Sequence, residues 1–153
     1  MPIFWHSAEH NATQKESWDW YNSPGAFRRI MPEWEGIQPI NAGALKDGEE
    51  TIFKVGIGPV KLKWIARHHS VIEGKSFADD MIKGPFGKWS HQHTFEATSD
   101  DITTVRDKVD YKLPFHIFTG WSKGFTVLPR MKQMFHYRST RVSKDLELSL
   151  IHI

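Results

Sequence analysis

Two histidines one residue apart, His91 and His93, sit in the run Trp89-Ser90-His91-Gln92-His93-Thr94-Phe95. On an extended chain alternate residues face the same way, so Trp89, His91, His93 and Phe95 share one side. The same parity aligns Leu62, Trp64, Ala66 and His68, and makes a further row of Phe77, Asp79 and Met81. It also sets Asp107 among Val105, Val109 and Tyr111, opposite Arg106, Lys108, Asp110 and Lys112. A carboxylate on a covered face must be paired or hydrogen-bonded, because burying a bare charge costs several kcal/mol. His91 or His93 is the obvious partner. Asp79, His91, His93 and Asp107 are therefore the candidate chemical groups, able to orient a ligand or move a proton, since an imidazole pKa of about 6.5 is readily moved by a neighbouring carboxylate. The plainer reading is a structural network that fixes strand register and tryptophan orientation, and the sequence leaves both open.

His91-x-His93 is also metal-ligand spacing, with His68 or Asp79 as a third ligand. In the absence of a fuller three-ligand signature, no metal and no other cofactor is expected. His68 and His69 face opposite sides of a regular strand and cannot chelate together. Gly84-Pro85-Phe86-Gly87 lies between strands and leads into no helix, which makes it a hairpin loop rather than a phosphate cradle. Arg130, Arg138 and Arg141 read as the solvated face of a helix. There is no serine nucleophile elbow, HExxH or paired-glutamate motif.

With 153 residues, 39% hydrophobic and 25% charged, the chain suits one domain with a real core and excludes wholesale disorder. It has no cysteine, which removes disulfides, thiolate metal sites and cysteine nucleophiles. Net charge is +2, so no strong field draws it to nucleic acid, which is not an expected partner. Apolar runs are far short of the roughly 20 residues a membrane helix needs. The opening MPIFWHSAEH lacks the features of a targeting segment, so a cytoplasmic protein is expected. Seven Trp and ten Phe suit a packed aromatic core or the wall of an apolar pocket.

The elements that must position these residues follow from pattern. Pro2 to Ser7 is a β-prone opening strand. Thr13-Gln14-Lys15-Glu16 is a capping box that starts a short helix carrying Trp18, Trp20 and Tyr21. Ser23 as N-cap with Pro24 at the first helical position predicts a second one, holding Ala26, Phe27, Ile30 and Met31 and ended by Pro32. From Trp34 to Leu113 the period is two, with turn signals at Asn41-Ala42-Gly43, Asp47-Gly48, Gly56 to Pro59, Glu73-Gly74, Gly84-Pro85 and Ser99-Asp100-Asp101. Short spacers imply antiparallel hairpins. From about Thr126, Leu128, Met131, Phe135 and Val142 recur at helical spacing, which predicts a long amphipathic helix with Pro129 in its first turn. That helix must cover the sheet's apolar face. The final stretch, Leu148-Ser149-Leu150-Ile151-His152-Ile153, matches one reading frame of a transposon end used in sequencing-library preparation. Residues 148–153 are therefore set aside as a non-native tail, and the domain is expected to span 1–147.

This order sharpens into a family resemblance at Pro32-Glu33-Trp34, Trp64-Ile65-Ala66-Arg67-His68, Phe77-Ala78-Asp79, Gly84-Pro85-Phe86-Gly87-Lys88-Trp89-Ser90-His91-Gln92-His93-Thr94-Phe95, Asp107 to Pro114 and Phe135-His136-Tyr137-Arg138. Over residues 1–147 the chain resembles the ligand-binding SRPBCC group (START-like, polyketide cyclase/dehydrase-like), in a subgroup labelled cell-division inhibitors. The resemblance implies an α+β helix-grip fold: a curved antiparallel sheet of about seven strands, two short helices after the first, and a long C-terminal helix across the concave face. It further implies an apolar cavity between sheet and helix that takes a small hydrophobic or amphipathic ligand. Members of the group differ in activity, and fold alone does not choose among them. A cyclase/dehydrase-type enzyme using a His/Asp pair is the alternative. So is a non-catalytic module of a longer chain, since some relatives carry a nicotinamide-dependent epimerase-like domain, for which no GxGxxG is present here. The expected wall residues are Trp64, Phe77, Met81, Phe86, Trp89, Phe95, Val109, Tyr111, Leu128, Met131 and Phe135.

Overall fold

A computed structural model of the chain describes residues 3–57, 59–113 and 121–151. The strands are β1 (Ile3–His10), β2 (Gln38–Asn41), β3 (Glu50–Ile57), β4 (Val60–Ile72), β5 (Ser76–Lys83), β6 (Lys88–Ser99) and β7 (Ile102–Lys112). The helices are α1 (Gln14–Tyr21), α2 (Ala26–Arg29) and α3 (Trp121–Ile151). All neighbouring strands are antiparallel, in the order β1-β7-β6-β5-β4-β3-β2. Tight hairpins produce that order directly, and β1 closes on β7 because both expose the same alternation.

Register shifts break β4 pairing at Ile65/Ala66 and His69/Ile72, where Ser70 adopts a left-handed φ of 54°. Such bulges bend a strand and increase its twist, which curls the sheet. The concave face is largely apolar around a polar patch of His68, Asp79, His91, His93 and Asp107, and α3 lies against it. Met131 and Phe135 of α3 join Phe4, Phe53, Trp64, Trp89, Val109 and Tyr111 in one cluster. Further along, Val142 and Leu146 pack with Ala12 and Ile30. This is the helix-grip arrangement.

Thr13 forms its capping box as its spacing dictates: its hydroxyl accepts from Glu16 N–H while the Glu16 carboxylate accepts from Thr13 N–H. Gln14 then donates to the carbonyls of Gly74 and Phe95, fixing α1 over the end of β6. Arg29 grips Asp145 of α3 through two hydrogen bonds of 2.6 Å, and Trp20 Nε1 donates to the same carboxylate at 3.1 Å.

Three local expectations are corrected. Ser23 is not an N-cap: Ala26 N–H bonds back to Ser23 O, and Gly25 (φ 81°) is the residue before α2. Pro24-Gly25 makes a type II turn, whose third position needs a positive φ that glycine adopts freely. Trp34 does not open a strand; Glu33–Glu35 is one 3-10 turn ended by left-handed Gly36, and β2 begins at Gln38. Pro129 is not in the first turn of the long helix, which starts at Trp121. Pro129 itself sits between exposed Leu128 and Arg130, on a part of the helix that faces water. Pro2, Gly58, residues 114–120 and the end of the tail fall outside the described residues, as do the side chains of 148–151. Among the described residues no helix is long and apolar enough to cross a membrane.

Candidate functional site

Cross-strand register assembles the polar cluster. On one rung His6 of β1 stands opposite Asp107 of β7, Asp107 opposite His93 of β6, and His93 opposite Phe77 of β5. On the next, His68 of β4 faces Asp79 of β5, and Asp79 faces His91 of β6. Directly opposed and diagonal side chains on one sheet face touch, so two rungs bring both carboxylates to both imidazoles.

Asp107 is the hub. His91 Nε2–H donates to its Oδ1 at 2.9 Å. His93 Nδ1 lies 2.9 Å from the same oxygen, but off the line that a hydrogen bond needs, which makes this an electrostatic contact. His6 Nδ1 is 3.7 Å from Oδ2. On the other side of the histidines, Asp79 Oδ2 lies 3.4 Å from His93 Nε2 and 4.0 Å from His91 Nδ1. The two imidazoles lie with centroids 3.7 Å apart, and Phe77 stacks on His93 at 4.1 Å.

Charge follows from this geometry. Burial alone raises the Asp107 carboxyl, but His6, His91 and His93 outweigh it and hold it well below the usual carboxylate range. Asp79 is treated the same way by His93 and His91 and also lies low. Burial pushes His93 down, yet Asp107 and Asp79 on either side bring it above an ordinary imidazole. His91 stays below, through burial and the neighbouring His93. The pair is thus split into one readily protonated and one readily neutral ring.

These groups stand on the wall of a cavity of about 890 Å³ between sheet, α3 and the α1–α2 segment. Of the residues singled out in the sequence, Trp64, Phe77, Phe86, Trp89 and Met131 line it together with Asp79, His91 and His93. Phe53 and Trp64 stack at 5.3 Å, and Trp89 meets Trp64 edge-on at 5.3 Å. The remaining expected wall residues lie elsewhere. Val109, Tyr111 and Phe135 are buried in the main core, with Met81 half-buried against it. Phe95 packs with Trp18 and Val105 under α1. Leu128 points outward, 42% exposed. Asp107 sits behind the histidines rather than on the wall.

Arg138 departs from its expected solvated face: it lines the cavity. Its Nη2 donates to the sulfurs of Met31 and Met134, it lies 5.0 Å over the Phe135 ring, and its buried Nε has no acceptor among the described residues. No carboxylate of the described residues comes within salt-bridge distance of it, whereas Arg130 pairs with Glu35 at 2.7 Å. The signal was available: Met131, Phe135, Arg138 and Val142 recur at four, three and four residues, one helical stripe. Tyr21, Phe27 and Ile30 also line the cavity from the α1–α2 segment; their spacing predicts short helices but not that those helices border the cavity.

A curled seven-stranded antiparallel sheet gripping one long helix, with a cavity held between them, defines a START-like helix-grip domain. The chain belongs to the polyketide cyclase / dehydrase and lipid transport family, whose model matches residues 11–135. Among solved structures, a nucleoside-diphosphate sugar epimerase from Corynebacterium glutamicum is 29% identical with a TM-score of 0.72, over 94% of this chain and 29% of that one. The chain therefore spans less than a third of that protein's length. A START superfamily protein from Mycobacterium smegmatis is 11% identical, with a TM-score of 0.67 over 95% of this chain and 97% of its own. Norcoclaurine synthase from Thalictrum flavum, solved with dopamine and hydroxybenzaldehyde, is 18% identical with a TM-score of 0.67 over 99% and 88%. The last two likenesses are of fold alone. No curated protein matches the chain.

Proposed function

We propose that this domain binds a small amphipathic molecule in the cavity between the sheet and α3. The observation that carries the reading is the cavity itself: about 890 Å³, walled by Phe53, Trp64, Phe86, Trp89 and Met131 and meeting a few polar groups at one side. Ligand sites are commonly of this size and composition, mostly apolar with a small number of placed polar groups. Arg138, His91, His93 and Asp79 supply the polar end, and Arg138 has donors to spare. Displacement of anilinonaphthalene sulfonate from the cavity by a panel of fatty acids and aromatic polyketide-like phenols tests it. Ala66, buried on the cavity wall between Trp64 and His68, offers the control, since Ala66→Leu occupies ligand space. Dye binding that weakens at least fivefold in Ala66→Leu supports the proposal; equal binding by both proteins overturns it.

A proton-transfer enzyme is the second reading, favoured by the split between His93 and His91 over a shared carboxylate. In that case His91, its Nε2–H held by Asp107, presents a basic Nδ1 towards the ligand, the arrangement of a general base with its orienting carboxylate. Turnover of a bound phenolic or ketonic ligand that vanishes in His91→Gln distinguishes enzyme from carrier. The likeness to part of a sugar-nucleotide epimerase supports a third role, as the ligand-holding module beside a redox domain.

A further inference from the structure

The tautomer of His91 leaves a chemical mismatch at the cavity wall. Asp107 is a carboxylate, so it accepts, and the His91 proton that bonds to it is on Nε2. The neutral ring then has a lone pair on Nδ1, and that lone pair lies 4.0 Å from Asp79 Oδ2, itself an acceptor. His93 Nε2 lies 3.4 Å from the same oxygen. Asp79, His91 and His93 each offer one ligand atom within 4.8 Å of the others. We infer that Asp79, His91 and His93 form a binding site for one divalent first-row transition-metal ion, with its open coordination positions facing the cavity.

The donor set fits that class. Two imidazoles and one carboxylate suit zinc, iron or cobalt, whereas calcium and magnesium require a shell of oxygens. Ligands bound at about 2.0–2.2 Å stand about 3–3.5 Å apart around such an ion, so Asp79 and His93 are already spaced for it, whereas His91, 4.0 Å from Asp79 and within 4.8 Å of His93, has to move inward. Metal-bound histidines usually have their other ring nitrogen on a carboxylate, which fixes tautomer and ring plane. Here Asp107 Oδ1 holds His91 Nε2 in this way at 2.9 Å, and it stands at the same distance from His93 Nδ1 as an electrostatic neighbour. When the ion arrives, a proton carried by His93 Nε2 leaves for solvent and the nitrogen lone pair takes the metal. Asp79 rather than His68 is the third ligand, because the ligand atoms that converge are those of Asp79, His91 and His93.

The test is titration of chelator-washed protein with Co²⁺, read by calorimetry and by visible absorption, followed by displacement with Zn²⁺. One ion per chain is expected, with affinity reduced more than about a hundredfold in Asp79→Asn and His91→Gln and about ten- to a hundredfold in Asp107→Asn. Asp80→Asn, which alters only the outward-facing contact to His69, should bind as the parent does. Nitrogen NMR of the unaltered protein gives a readout that needs no variant: Zn²⁺ should shift His91 Nδ1 and His93 Nε2. Absence of stoichiometric binding, affinity that Asp80→Asn lowers as much as Asp79→Asn does, or shifts confined to exposed histidines overturns the site. None of these results depends on whether the apolar part of the cavity takes a ligand.

Discussion

Replacing Asp107 by asparagine keeps the shape of the cluster and removes the charge that organises it. Asp107 is 7% exposed, accepts from His91 at 2.9 Å, and has His93 at 2.9 Å and His6 at 3.7 Å. Breaking a buried pair by removing one partner costs about 3–5 kcal/mol, because the remaining charge stays buried without compensation. For a chain of this size each kcal/mol lowers Tm by about 2–4 °C, so the expected fall is about 6–20 °C. Asp110 is the internal control. It lies on the same strand with opposite parity, 2.6 Å from Lys88, but that pair is half-exposed and worth about 1 kcal/mol or less. Urea denaturation followed by circular dichroism at neutral pH, with chelator present, measures both. An Asp107→Asn variant within 1 kcal/mol of the parent, or no worse than Asp110→Asn, refutes the hub.

Three further outcomes follow from the same contacts. His93 is raised by its two carboxylates, so its stabilisation is full below about pH 6.5 and is lost as pH rises through the higher folded value. The Tm gap between the metal-free parent and His93→Gln should therefore shrink with rising pH, and a gap that grows contradicts the assignment. Phe135, 1% exposed and 5.1 Å from Phe4, anchors α3 to the sheet; Phe135→Ala should cost about 3–5 kcal/mol in denaturant titration. Thr13→Ala removes half of the capping box and should cost about 1 kcal/mol, a loss that Thr13→Ser largely restores in the same titration.

The polar cluster was legible because strand parity is a property of the chain alone. Once Trp89 to Phe95 and Val105 to Tyr111 are strands, their alternate side chains must share a face, and buried Asp107 must find an imidazole. What parity does not carry is depth along a strand. Phe95 and Trp89 face the same way, yet α1 covers the first, which packs with Trp18, while the second borders open space. Which end stays open is decided by where Gln14 ties α1 to the sheet and Arg29 ties α2 to α3, contacts between residues distant in sequence. Much of the wall also comes from Tyr21 to Met31 and Ala42 to Leu45; the first carries a helical spacing, but nothing in either pattern says that it borders the cavity. Arg138 was hidden for another reason: its charge suggested water, while its place on the Met131–Phe135–Val142 stripe pointed inward.

Native mass spectrometry of the protein purified directly from cells tests most directly whether the space beneath α3 is a binding site. The account predicts a chain carrying the added mass of one small molecule, released on unfolding and diminished in Ala66→Leu. Bare chain alone, in both the parent and Ala66→Leu, contradicts it.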